Sequence, residues 1–444
     1  MSINATRVVQ RYLLQGCLIV CAFALAATSA FAADSKIDAA DTAWMITATG
    51  IVLMMTIPGL ALFYAGMVRK KNILATMAQC LAATALVSVL WVVFGYSLAF
   101  TGDGAWIGST DRLFLSGMEM NGVSPLAKTI PEALFMLYQM TFAIITVALV
   151  AGSVADRMRF SAFMLFAALW LLFVYVPIAH WVWGGGFLAT MGVLDFAGGT
   201  VVHINAGVAG LVAALVIGAR HGHGTENHAP HDLSLAVIGT GLLWVGWFGF
   251  NGGSALGANS RAVYAITATH LAACTGALTW MALEWMTRGK PSVLGIISGA
   301  VAGLGTITPA SGFVLPWHGL VIGLLAGGIC FYACTTLKRR CGYDDTLDVF
   351  GVHGVGGITG TLLAGVFATA AVSMAPDTPG ISGLIEGNPQ QLLTQLYGVV
   401  VTMAWSGIAT FALLKIVDLF APLRVAREHE IVGLDVSLHG EALQ

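Results

Sequence analysis

The most restrictive feature of this chain is a succession of apolar stretches, each long enough or nearly long enough to cross a lipid bilayer. They run over residues 43–66, 75–100, 132–154, 160–181, 195–218, 233–255, 262–286, 293–309, 316–337, 346–370 and 393–420. A hydrocarbon core about 30 Å thick needs ~20 apolar residues in a helix rising about 1.5 Å per residue. Backbone polar groups inside lipid must bond within their own helix. The expected fold is therefore an all-α integral membrane protein with eleven transmembrane helices, of which the eighth, at 293–309, is the shortest. Composition agrees: 57% of residues are hydrophobic and 9% charged, against about 25% charge in soluble domains. A net charge of −2 argues against nucleic acid as a partner.

The first apolar run is set apart. Arg7 and Arg11 precede Leu13–Ala27, and Ala30-Phe31-Ala32 supplies small residues at a cleavage position. That order reads as a secretory signal peptide over residues 1–32, followed by a membrane domain over 33–420 and a cytoplasmic tail over 421–444. Arg69, Lys70, Lys71, Arg157, Arg159, Arg220, Arg288, Lys290, Lys338, Arg339, Arg340, Arg424 and Arg427 follow odd-numbered spans, whereas the alternate loops hold Lys36, Arg112, Lys128 and Arg261. The positive-inside rule then places the mature N-terminus outside and the C-terminus in the cytoplasm, in the cell inner membrane. Cys80, Cys274, Cys330 and Cys334 lie in apolar spans, and no CxxC occurs. They read as small packing residues.

A repeat links the two halves. Asp195 precedes His203 by eight residues in "DFAGGTVVHINAGVAG", and Asp345 precedes His353 by eight in "DTLDVFGVHGVGG". Both pairs are offset by 150 residues. The first opens span five and the second span ten, so the second half enters the membrane upside down. Two inverted five-helix repeats plus a final helix is a transporter plan. Eight helical residues rise roughly 12 Å, which brings His203 and His353 near the midplane from opposite sides. Ionisable residues at that depth are read as functional, and two imidazoles can share one N–H between ring nitrogens. The alternative is that each ring satisfies a nearby carbonyl. Gly198, Gly199, Gly207, Gly210, Gly351, Gly354, Gly356 and Gly357 allow the helices around them to approach closely.

These two stretches, together with "TIPGLALFYAGMVRKKN", "VPIAHWVWGGG", "GWFGFNGGSALGAN" and the tail "GLDVSLHGE", resemble the ammonium transporter family (Amt/Mep, with the Rh proteins more distant), in its bacterial Amt branch. The likeness covers about residues 42–440. It implies a homotrimer with one pore per subunit, no cofactor and no metal. Along each pore it implies an outer ammonium site at Trp183, Ser254 and Tyr138, and a gate of Phe142 and Phe250. An apolar channel then holds His203, His353 and Trp247. Asp195 matches a buried structural carboxylate that holds the outer site in shape. Taken singly, Trp183 fits an interfacial aromatic, Phe142 and Phe250 fit core packing, and Ser254 fits back-bonding to its own helix. Tyr138 departs from the phenylalanine many relatives carry. The family also implies a tail packed under neighbouring subunits and a PII-type regulatory protein on the cytoplasmic face.

The function expected is transport: NH4+ is captured outside and deprotonated, and NH3 passes an apolar pore while the proton moves separately. The protein is not expected to be an enzyme. Two rival classes are an ammonium sensor and a membrane-embedded metalloenzyme. Sensor relatives carry a signalling domain after the last span, where about 24 residues stand here. A catalytic zinc needs three protein ligands, and each aspartate is about two helical turns from its histidine. His180 and His270 are expected in hydrogen-bonded structural roles, and His318 has no family counterpart. His221, His223, His228 and His231 read as a solvated cytoplasmic loop.

Overall fold

The computed structural model describes residues 37–374 and 379–443. The expected signal peptide, residues 1–32, lies outside them, as does Lys36. Among the described residues the regular structure is helical. The only pairings of extended backbone are isolated bridges, Ser124 with Ala127 and Met158 with Arg424.

Among the described residues ten helices are long and apolar enough to cross a membrane: α1 Ala39–Met67, α2 Lys70–Phe100, α3 Glu132–Val154, α4 Phe160–Thr190, α5 Gly199–Ile217, α6 Leu233–Gly253, α7 Ser260–Arg288, α9 His318–Cys341, α10 Phe350–Phe367 and α11 Pro389–Phe420. Between α7 and α9 lies a shorter apolar helix, α8, Val293–Ile307, which packs against both. It coincides with the shortest expected span. The most apolar stretches of α3 and α5 are 83% and 78% buried, against 33% for α2, α9 and α11. The first two are therefore central, and the others present a broad apolar face outward. α5 packs on α3, α10 and α11, and α10 packs on α8 as well. The two helices that carry His203 and His353 thus meet in the middle of the molecule.

Local chemistry sets the helix ends. Asp38, Asp232, Asn259 and Ser292 accept backbone N–H bonds in the first turns of α1, α6, α7 and α8, the N-cap role for which their short polar side chains suit them. Seven boundaries differ from the sequence expectation by four residues or more: α1, α2 and α11 start at 39, 70 and 389 rather than 43, 75 and 393, α9 ends at 341 rather than 337, and three more have a visible cause. α5 starts at Gly199 rather than at 195, because Asp195 turns back to cap the helix. α10 starts at Phe350 rather than at 346, because Asp348 takes a positive φ of 57° and Asp345 caps Phe350. α4 continues past 181 to Thr190 through a break at Gly184–Gly186, where Gly185 has φ +87°. Both histidines also sit in wider π turns, Gly199–Ile204 and Phe350–Gly354.

A charged cluster closes the end of the molecule opposite Trp183. The Arg220 guanidinium donates to Asp344 at 2.8 and 2.9 Å and lies 3.6 Å from Asp156, which also meets Arg69 at 3.2 Å. The carboxylates of Asp344 and Asp156 are fully buried. Burial pushes the Asp344 carboxyl up, but the bonds and charge of Arg220, with the charge of Arg157, outweigh it and hold the group well below the usual carboxylate range. A depressed folded value means the contribution is complete at neutral pH and is lost only as pH falls through that value. Removing one partner of a buried pair costs about 3–5 kcal/mol. Asp344→Asn should therefore lower the melting temperature in detergent at neutral pH, measured by intrinsic fluorescence. Unchanged melting would contradict this account.

The tail folds onto its own subunit. Asp435 accepts from the N–H groups of Leu74 and Ala75 in α2, and Asn72 accepts from Leu434 N–H. Glu430 pairs with Arg424 and accepts from His221 N–H.

Candidate functional site

Three cavities follow one another along the centre. The first, of about 230 Å³, opens at the Trp183 end and is walled by Trp183, Ser254, Phe142, Phe135, Phe196 and Gln139 among others. Trp183 ends a helical stretch of α4 and is anchored by its indole N–H, which donates to the Asp195 carbonyl at 2.8 Å. Asp195 is itself fixed. Its Oδ1 accepts from Gly198 and Gly199 N–H at 2.7 and 2.6 Å, and its Oδ2 from Thr200 and Val201 N–H at 2.8 and 3.1 Å, with the Thr200 hydroxyl as a fifth donor. One carboxylate thus satisfies the orphan donors of α5 and its π turn and locates the indole.

Ser254 follows the last turn of α6 and donates to Phe250 O at 2.8 Å. This is the back-bond allowed by the sequence, and it leaves the lone pairs of the oxygen as acceptors. Tyr138 does not wall this cavity. Its hydroxyl contacts Gly249 O and Phe250 O at 3.0 and 2.9 Å and Ser254 Oγ at 3.3 Å, behind the wall. Gln139, the next residue, does wall it, and its buried Oε1 has no partner among the described residues. Sequence reasoning passed over Gln139. An amide in the apolar span 132–154 was the available signal.

Phe142 of α3, on the wall of the first cavity, stacks on Phe250 of α6, with ring centroids 4.1 Å apart and planes 20° apart. Trp183 meets Phe142 edge-on at 5.6 Å. Below the stack is a second cavity of about 10 Å³, walled by Phe250, Trp247, His203, His353, Leu243 and Val301 among others. That is the room of about one water-sized molecule. Trp247 is held by its indole N–H on Thr308 Oγ1 at 2.8 Å and lies nearly parallel to the His203 ring at 5.7 Å.

The two imidazoles meet. His353 Nδ1 is 3.2 Å from His203 Nδ1, and the ring planes are 10° apart. Two nitrogens at this distance share one proton, one donating and the other accepting. The donor ring then has a bare Nε2 and its partner an Nε2–H. His203 Nε2 is buried with no partner among the described residues. Glycine makes the meeting possible: a Cβ on Gly207 would sit 2.3 Å from Gly354 Cα, and one on Gly357 would sit 2.9 Å from His203 Cβ.

His353 also lines the third cavity, of about 570 Å³, at the tail end, with Phe63, Tyr64, Ser298 and Lys338. The repeat is not exact there. Asp345 caps only Phe350, and its Oδ1 lacks a partner among the described residues. The other histidines take different roles, and His180 takes the structural one expected. His180 bridges α2 and the loop after it, with ring nitrogens facing Ala99 O at 2.9 Å and Gly104 O at 2.5 Å. His318 accepts from Leu315 N–H at 3.2 Å. His270 is exposed on α7 with Cys274 Sγ 3.7 Å away, a weaker tie than the structural bonding expected. His223 and His228 line the third cavity, in a loop that is largely exposed, as expected of a solvated one. Among the described residues no three His, Cys, Asp or Glu side chains are grouped to hold a metal ion.

Comparison with known proteins gives the same direction. The family model described as Ammonium Transporter Family matches residues 43–443. The chain is similar to an ammonium transporter of Bacillus subtilis, 47% identical over 403 residues, which are 90% of this chain and 97% of that one. It is similar in structure to Mep2 of Saccharomyces cerevisiae, with TM-score 0.83, 38% identity and coverage of 88% and 89%. A protein described as a sensor Amt protein matches with TM-score 0.81 and 29% identity over 90% and 98% of the chains. This multi-pass membrane chain belongs to the ammonium transporter family, a family of transporters rather than enzymes.

Proposed function

We propose that this protein captures NH4+ in the Trp183 cavity, removes a proton there, and conducts NH3 past Phe142 and Phe250 and along His203 and His353. The proton passes to transient water and crosses separately, through the His203–His353 pair. The observation that carries the reading is the 3.2 Å Nδ1–Nδ1 contact, set in a cavity otherwise walled by apolar side chains. Charge cannot separate ammonium from potassium, which it resembles in size. Desolvation penalises both, by an idealised ~20 kcal/mol for a full transfer to low dielectric, whereas neutral ammonia escapes most of that penalty. Only ammonium can lose a proton and then use the two Nε2 positions as hydrogen-bond partners. At the capture site the Trp183 indole face attracts a cation, and Ser254 Oγ and Gln139 Oε1 supply acceptors. Tyr138 acts from behind, by holding Ser254.

The remaining sequence expectations belong to this reading: an N-terminal signal, eleven crossings with α8 as the eighth, inverted halves, an outer Trp183 face and a cytoplasmic tail. The exposed His270 on α7 favours a homotrimer, because a polar ring on an outward face is better covered by protein than by lipid. A PII-type protein is the proposed cytoplasmic partner. Higher identity to a named transporter than to a named sensor favours transport over sensing.

The test is current on solid-supported membranes after reconstitution. Ammonium should evoke current and potassium none; equal currents would defeat the proposal. Trp183→Leu removes a cation–π contact worth about 0.5–2 kcal/mol from exposed to desolvated sites, so the half-saturating ammonium concentration should rise roughly 2–30-fold. An unchanged value would remove Trp183 from the site.

A further inference from the structure

The loop between α5 and α6 places two imidazoles at the tail-end mouth of the pore. His223 and His228 line the 570 Å³ cavity whose deep end is His353. The acids on that cavity wall are already paired. Glu284 takes Arg288 at 3.0 Å and Asp348 takes Lys338 at 2.7 Å. Arg220, also on the wall, is taken by Asp344 at 2.8 Å. Arg339 donates to its own helix at Thr335 O. The histidines are the groups left to exchange protons there, and imidazole is the side chain suited to that near neutral pH. His228 Nδ1 faces Glu226 O at 3.1 Å, so it carries the proton and Nε2 presents a lone pair. That Nε2 is buried and has no partner among the described residues. His223 Nδ1 stands 3.4 Å from Asp344 Oδ1, and its side chain is 38% exposed, so it connects the cavity to solvent. His221 differs: its Nε2 meets Arg427 at 2.9 Å and it does not line the cavity.

We propose that His223 and His228 are the proton-transfer station of the exit, accepting the proton that leaves the pore and delivering it to emerging ammonia. This rests on the pore reading above. The step balances: neutral imidazole takes the proton and becomes imidazolium, the imidazolium N–H bond then breaks as an N–H bond forms on NH3, and NH4+ leaves with the imidazole restored.

The experiment uses the full-length protein in liposomes, with ammonium chloride pulses on the Trp183 side and the buffer varied on the tail side. A positioned proton-transfer group contributes roughly 10²–10⁴-fold, part of which water replaces in an open mouth. In weak tail-side buffer, H223Q/H228Q should therefore carry about tenfold less current than wild type. Added tail-side imidazole should restore it, and H221Q should match wild type throughout. Wild-type current in the double variant, or a loss that imidazole does not repair, overturns the station while leaving the pore reading intact. Loss of current in H221Q equal to that in the double variant would make the effect one of loop folding and overturn it too. Absence of ammonium current in wild type would instead overturn the pore reading, and the station with it.

Discussion

Replacing His203 and His353 together by leucine should abolish the ammonium-evoked current of the reconstituted protein. Leucine is close to histidine in volume, so packing around Gly207, Gly354 and Gly357 survives, and the cavity beside Trp247 becomes wholly apolar. What disappears is the shared proton at 3.2 Å between the two Nδ1 atoms and both Nε2 positions. A proton then has no relay through the centre, and ammonia has no hydrogen-bond partner beyond the phenylalanine stack. Positioned proton transfer contributes roughly 10²–10⁴-fold, so the residual current should fall below detection while the protein still elutes as folded. Either single leucine variant breaks the shared proton but keeps one ring, and should retain a small fraction of the current. Wild-type current in the double variant would end the relay account.

Asp195→Ala should have the largest effect on folding of any substitution at the Trp183 end. It strands four backbone N–H groups, of Gly198, Gly199, Thr200 and Val201, and the Thr200 hydroxyl. An unsatisfied buried polar group costs about 1–3 kcal/mol. Even with partial relaxation the sum is a large part of a stability of about 5–15 kcal/mol. The Asp195 carbonyl also anchors the Trp183 indole, so a displaced segment loosens the capture site as well. The expected results are a lower yield, a melting temperature several degrees lower, and no current from the protein that remains. Asp195→Asn keeps one oxygen but aims an amide N–H at backbone donors, so it should be intermediate in stability and equally impaired in transport. Wild-type melting of the alanine variant would show that the cap is dispensable.

Much of the pore was legible because it is written in unusual residues. A histidine among glycines in an apolar run has few bland explanations, and the repeated spacing from Asp195 to His203 and from Asp345 to His353 ties the two together. The Phe142 and Phe250 stack came only from family likeness, since phenylalanine in a membrane helix is by itself unremarkable chemistry. Gln139, which the sequence analysis did not single out, walls the first cavity, and Tyr138 stands behind that wall against Ser254. Both differences concern which way a side chain points. Adjacent helical residues differ by about 100°, and no periodicity resolves that angle in a helix as evenly apolar and buried as α3.

The sequence by itself determined the all-helical membrane character, most helix limits and the pairing of the two central helices. Those follow from hydropathy and from a long-range repeat, which are properties of composition and order along the chain. Only the tertiary structure decided that both histidines lie in π turns with their Nδ1 atoms 3.2 Å apart, that Asp195 caps a later helix start, and that His223 and His228 line the cavity reaching His353. These depend on a few ångströms of helix rotation and loop path. Contacts between segments far apart in sequence fix them, and no local pattern encodes them.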